Sequence, residues 1–248
     1  LGNSPDPLLL IDKYGADGVR MGLMLTAPAG NDLPFDEALC EQGRNFNNKI
    51  WNAYRLVRGW TVDEQKDLPE TSRIAIDWFN NQLSKTIAEV NDSFEKYRLS
   101  EALMAIYKLF WDEFSSWYLE IIKPGFEQPI DSVSYQATLG FFDALLRLLH
   151  PFMPFITEEL WQTLADRSDD ESIMLAQLPT VKDIDTDLLN TFEVIKEIVG
   201  GVRTVRLQKG IPNKESLDLE YAGSFQEEFA SVIQKICNIG EVRAVTEK

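Results

Sequence analysis

Ile76, Phe79, Leu83, Ile87, Val90, Phe94 and Tyr97 recur at spacings of three and four, and only a helix puts such a series on one side. A second series follows: Leu99, Leu103, Ile106, Phe110, Phe114, Trp117 and Ile121, with Glu101, Ala105, Lys108, Asp112, Ser116, Leu119 and Lys123 on the opposite face. Ser100 is placed to cap this second helix, and Pro124-Gly125 stops it after Ile122. Further helices are expected from Ser132 to Leu149, ended by Pro151, and within PFMPFITEELWQTL. Long amphipathic helices joined by short connections bury their stripes against one another, so the chain is expected to be mainly α, with an antiparallel helical bundle at its centre. With 248 residues, 44% of them hydrophobic, there is enough apolar surface for a large core.

The flanks differ from this centre. The first 43 residues are rich in turns, with LGNSPDP and APAGNDLP on either side of LLLIDKYGADGVRMGLMLT, and they read as a piece of something larger. A short helix is expected near Pro7 to Lys13, then a second one capped by Asp17 with Val19, Leu23 and Met24 inward. After about residue 180, Asp187 to Gln208 is helical by pattern, although Gly200 and Gly201 each cost about 1 kcal/mol relative to alanine. Alternating Leu217, Leu219 and Tyr221 predict a strand, Ser224 to Cys237 a helix, and Glu241 to Val245 a second strand. Together these make a small α+β C-terminal unit.

Several function classes lose support. A balance of 24 basic against 40 acidic residues, net −16, argues against a general nucleic-acid coat and requires any nucleic-acid site to be local. Cys40 and Cys237 stand alone, suggesting reduced thiols in a cytoplasmic protein, and one histidine, His150, is poor material for a zinc site or an acid/base scheme. His150 is better suited to satisfying the carbonyls of a helix end. Adjacent Glu158 and Glu159 diverge by about 100° on a helix and suit its first turn better than catalysis. Neither YGADG nor VGG has phosphate-loop spacing. There is no apolar run of the roughly 18 residues needed to cross a bilayer, and no basic region followed by an apolar stretch at the start.

RNFNNKIWNAYRL, residues 44–56, is the most distinctive stretch. Phe46, Ile50, Ala53, Tyr54 and Val57 share one side; Asn45, Asn48, Lys49, Asn52, Arg55 and Leu56 share another, without a single acid. Such a face is either simply solvated or made to meet an anion with hydrogen-bonding edges. Leu56 and, on the later helix, Leu119 beside Glu120 are apolar residues on polar stripes, and they could form a slot for a flat ring.

These residues carry a resemblance. The opening through RNFNNKIWNAYRLV is similar to the valyl-tRNA synthetases from just behind their Lys-Met-Ser-Lys-Ser signature, with GADGVR shared by class I synthetases broadly and AGNDLPF followed by RNFNNKIWNAYR closer to the valine family. FWDEFSSWYLEIIKP and HPFMPFITEELW resemble the helical anticodon-binding domain of the same subfamily. The resemblance is strong over most of residues 1 to 180 and looser beyond. It implies a stem-contact tail of the catalytic domain in 1–43, a helical anticodon-binding domain in 44–180, and the start of a C-terminal α+β module in 181–248, lacking the family's coiled-coil arm. Gly2 and Asn3 would be the last traces of the signature loop.

By the same resemblance the whole enzyme attaches valine to tRNA(Val) with ATP. This chain has no catalytic site and no cofactor of its own, and its partners are tRNA(Val) and the rest of the synthetase, with no membrane. Lys49 and Arg55 are then expected on phosphates, with Arg44 and Arg58 in the same patch, Asn48 and Asn52 on base or sugar edges, Leu56 and Leu119 around a loop base, and Glu120 accepting from its amino group. The family commonly has an aromatic at the position of Leu56. Two other readings stay open: a helical protein-interaction scaffold, marked by a large apolar patch, and the equivalent region of an isoleucine enzyme.

Overall fold

The computed structural model describes residues 5–26, 35–168, 170–222 and 227–245, so Gly2, Asn3, most of AGNDLPF and the expected helix start at Ser224 lie outside the described residues. Asp6 caps the first helix, α1 (Pro7–Tyr14), through the Leu8 N–H, and α2 (Ala16–Thr26) follows after Gly15. Asp36 caps α3 (Glu37–Arg58) in the same way. Next come the short strand β1 (Val62–Asp63), α4 (Glu70–Glu95), α5 (Leu99–Lys108), a π-helical stretch (Leu109–Tyr118) and α6 (Leu119–Ile122). Strand β2 (Ile130–Asp131), α7 (Ser132–Leu149) and α8 (Pro154–Leu164) complete the bundle.

The helices alternate in direction. β1 pairs in parallel with β2, Val62 against Ile130, so the chain leaving α3 and the chain leaving α6 arrive at the same end, with α4 and α7 running back. The core holds Phe46, Trp78, Phe79, Phe110, Phe114, Tyr118, Phe142 and Phe152, all essentially without solvent contact. Their rings meet mostly edge to face or tilted, the arrangement the aromatic quadrupole favours. The stripe from residue 76 holds along α4, where Phe79, Leu83, Ile87 and Val90 are buried, and ends early. Tyr97 has left the helix with φ 57° and is exposed.

α2 and α3 touch backbone to backbone. A Cβ on Gly43 would stand 2.5 Å from the Gly18 carbonyl oxygen, and one on Gly22 2.7 Å from the Cys40 nitrogen, so the two helices pack closely only because those positions lack side chains. α3 is continuous through residues 43 and 44. Asp17 does not cap its own helix as expected. It is buried inside α2, and its carboxylate accepts from the N–H groups of Phe155 (3.2 Å) and Ile156 (2.7 Å), capping α8 from 138 residues away in sequence. Burial raises its pKa by more than these two bonds lower it. Met21, rather than Leu23, is the residue α2 buries most completely.

After the bundle, α9 (Thr186–Lys209) runs unbroken through Gly200 and Gly201 and ends at the left-handed Gly210. β3 (Leu217–Ala222), α10 (Ala230–Cys237) and β4 (Ile239–Val245) follow, with β3 and β4 parallel, as a strand–helix–strand unit requires. Arg206, buried on α9, ties this unit together by donating to the carbonyls of Pro212, Glu215 and Cys237 at 2.8–2.9 Å. α9 itself is held to the bundle by Phe192, stacked on Trp78 at 4.0 Å.

Candidate nucleic-acid interface

α3 keeps its acid-free face outward. Phe46, Ile50, Ala53 and Val57 are buried, while Asn48, Asn52, Arg55 and Arg58 are exposed and Leu56 is 43% exposed. The two remaining cations are partly engaged. Arg44 pairs with Glu41 and lies 5.6 Å from the Tyr14 ring centre, and the Lys49 ammonium sits 5.3 Å from that of Trp111. Trp111, itself stacked on Tyr107, was not singled out by sequence reasoning; the available signal was an indole on the outward side of its helix next to Asp112. Over the indole, the Lys49 ammonium gains a cation–π contact that favours this position of its side chain.

Leu119 corrects the sequence expectation. It is 2% exposed and part of the core, so it cannot flank a base. The cause is the winding between Leu109 and Tyr118: in a π-helix each turn takes up roughly one more residue than in an α-helix, and the face rotates accordingly. Tyr118 takes the inward position expected of Trp117, which is only half-buried, and Leu119 turns in behind it. The slot between Leu56 and Leu119 therefore does not form. Glu120 is half-buried, accepts from Lys123 at 2.5 Å and lines an open cleft of about 670 Å³ with Arg203, Asn213 and Ile236. It looks toward α9 and α10.

The remaining candidates have structural work. His150 Nδ1 lies 2.7 Å from Thr157 Oγ1, and burial lowers its pKa. Glu158 is raised by burial but more strongly lowered by hydrogen bonds from Gln162, Ser172 and the Ile173 N–H, so its carboxyl stays below the usual range and fastens the segment after α8. Glu159 points to solvent. Among the described residues, no cluster of His, Cys, Asp or Glu could hold a metal, both thiols are free and buried, and no helix is long and apolar enough to cross a membrane.

A family model described as the anticodon-binding domain of tRNA ligase matches residues 77–221. The chain belongs to this family. Along its whole length the chain is 70% identical to the valine–tRNA ligase of Parabacteroides distasonis and 63% identical to that of Phocaeicola vulgatus, in each case spanning 28% of the relative. The more distant valine–tRNA ligase of Thermotoga maritima is 37% identical over the whole chain, which covers 29% of that enzyme. Among solved structures, Agrobacterium radiobacter LeuRS, from its ternary complex with tRNA and LeuAMS, matches at TM-score 0.50 and 22% identity, over 76% of this chain and 22% of that one. At that identity the likeness is one of fold alone. The chain thus spans little more than a quarter of the curated relatives it matches.

Proposed function

We propose that this domain holds the anticodon loop of tRNA(Val) for a valine–tRNA ligase. The observation that carries this reading is the outward face of α3: Asn48, Lys49, Asn52, Arg55 and Arg58 lie along it without an acid between them, in a chain of net −16. Arginine and lysine there neutralise phosphates, and asparagine amides both donate to and accept from unpaired base edges. Leu56, exposed beside them, offers an apolar surface to one base. Arg44 sits at the far end of the face, already paired with Glu41. Glu120 reads a base only if the loop reaches the cleft beside α9.

In the whole enzyme, residues 1–43 would act as the stem-contact tail of the catalytic domain, 44–180 as the anticodon-binding bundle and 181–248 as the start of a C-terminal module. That enzyme would use ATP to attach valine to tRNA(Val) in the cytoplasm. This chain binds RNA without catalysing the reaction, and valine-dependent pyrophosphate exchange above background would contradict that. The deciding experiment is fluorescence anisotropy with a labelled tRNA(Val) transcript and an anticodon-swapped version at low and physiological salt. The valine anticodon is expected to bind more tightly, with Asn52→Ala and Arg55→Ala each weakening it. Equal affinity for both transcripts would place discrimination outside this chain.

A further inference from the structure

The outward face of α3 is bordered by two indoles in opposite conditions. On the side of the π-helical stretch, Trp111 is half-buried, stacked on Tyr107 and covered by the Lys49 ammonium. On the side of α8 stands Trp51, 42% exposed and the one exposed tryptophan of the six. Its ring is supported from beneath. It lies against Tyr54, ring centres 6.2 Å apart, and Tyr54 is itself fixed at both ends: its ring meets the fully buried Phe142 edge to face at 6.0 Å, and its hydroxyl donates to Thr163 Oγ1 on α8 at 2.8 Å. Among the described residues no cation sits over the Trp51 indole and its N–H donates to no protein atom. Leaving so much of an indole in water forgoes burial that the other five tryptophans obtain in whole or in part.

The neighbours of Trp51 define what it can meet. At 100° per residue, Arg44, Asn48, Trp51, Arg55 and Arg58 fall within a stripe about 80° wide, and Leu56 lies about 140° round the helix from Trp51. No acid occurs between Glu41 and Asp63. Arg44 is paired with Glu41, but among the described residues Arg55 and Arg58 have neither an ion pair nor a side-chain hydrogen bond. The exposed acids nearest Thr163 in sequence are Glu159 and Asp166, so the border beside α8 discourages phosphate, and what it offers a ligand is an uncharged ring. An apolar protein surface laid on this stripe would strip water from two arginines without pairing them. An unpaired nucleic-acid strand satisfies both parts, with phosphates for the guanidinium groups and a base for the ring.

We propose that Trp51 is a base-stacking residue, whose open indole face takes a splayed base of the tRNA(Val) loop while Asn48 and Arg55, one turn to either side, hold the backbone that flanks it. This rests on the reading of α3 as the anticodon-loop face and deepens it by naming the residue on which a base stacks; Leu56 then serves the opposite border.

The test is fluorescence anisotropy of the full 248-residue chain with labelled tRNA(Val) transcript over a salt series, comparing Trp51→Ala, Trp51→Leu, Trp51→Phe and Arg55→Ala at a temperature where melting curves show each variant folded. Trp51→Ala should weaken binding by about tenfold, within the range for loss of one base stack, and Trp51→Leu should weaken it nearly as much, because it keeps apolar area without a π face. Trp51→Phe should retain most of the affinity. None of the three should change the slope of log affinity against log salt, since no phosphate contact is lost, whereas Arg55→Ala should lower it by about 0.7. Unchanged affinity in Trp51→Ala, with Arg55→Ala still weakening binding, overturns this inference and leaves the α3 reading intact. Trp51→Phe as weak as Trp51→Ala, or Trp51→Leu as tight as the unmodified chain, overturns stacking as the role of Trp51. A lowered salt slope in Trp51→Ala overturns it as well, since the indole would then be positioning the arginines. Failure of the unmodified chain to bind at low salt overturns both readings.

Discussion

Lys196→Met should cost the domain about 2–3 kcal/mol, because it strands a carboxylate that the fold has partly dried. The Lys196 ammonium on α9 lies 2.6 Å from Glu113 on the π-helical stretch, with the two side chains 13% and 19% exposed, and it sits 5.2 Å and 5.9 Å from the ring centres of Trp78 and Trp117. Its second partner, Glu193, is 63% exposed and adds little. Breaking a fully buried pair costs about 3–5 kcal/mol and an exposed one no more than about 1, and the limited exposure here places the value nearer the first. The expected readout is a melting temperature lower by about 5–10 °C, at roughly 2–4 °C per kcal/mol for a chain of this size.

Two controls separate this reasoning from simple loss of packing. Glu113→Gln should cost less than about 1 kcal/mol, since Gln still accepts from Lys196, and Lys196→Met made in a Glu113→Leu background should be nearly neutral. pH supplies the second control. Burial raises the Glu113 pKa more than its bond to Lys196 lowers it, so the folded state holds that proton more tightly than the unfolded state does. The stability Glu113 contributes is therefore complete below its unfolded pKa and lost as pH rises through the folded value. Without Lys196 the folded value rises further, so the deficit of Lys196→Met should be largest near neutrality and narrow as pH falls toward the ordinary glutamate range. Urea titrations of the unmodified protein, Lys196→Met, Glu113→Gln, Glu113→Leu and the Lys196→Met/Glu113→Leu double variant at several pH values measure this. A deficit independent of pH, or undiminished by Glu113→Leu, refutes the argument.

Other perturbations have comparably specific outcomes. Asp17→Ala removes the acceptor for two N–H groups at the start of α8 and should destabilise by about 2 kcal/mol, with amide exchange accelerating first at Phe155 and Ile156. Leu119→Ala should lower stability by about 2–5 kcal/mol in thermal melts, as core truncations do, and leave the salt slope of tRNA binding unchanged in chain that remains folded. Gly43→Ala would push a methyl group into the Gly18 carbonyl, and should loosen α1 and α2 from α3 while the bundle from α4 onward retains its protection in hydrogen exchange.

Much of this molecule follows from local pattern. The inward residues of α3, the extent of α7 and the alternation in β3 are set by periods of 3.6 and 2, which depend only on neighbours along the chain. The same applies to the acid-free face of α3, since a helix once formed fixes which residues share a side. Those inferences fail where a distant element intervenes. An α-helical wheel through Leu109–Tyr118 puts Leu119 outward, whereas packing of Phe110, Phe114 and Tyr118 into the aromatic core accompanies a π geometry that turns Tyr118 and Leu119 inward. Asp17 has the local pattern of a cap for its own helix because sequence shows only its neighbours, and the helix it caps is reached through the docking of α2 on α8. The pairing of Lys196 on α9 with Glu113 likewise exists only in three dimensions. Periodicity along the chain determines which face of each helix is buried; the packing of helices against one another determines which distant charges must share the same space.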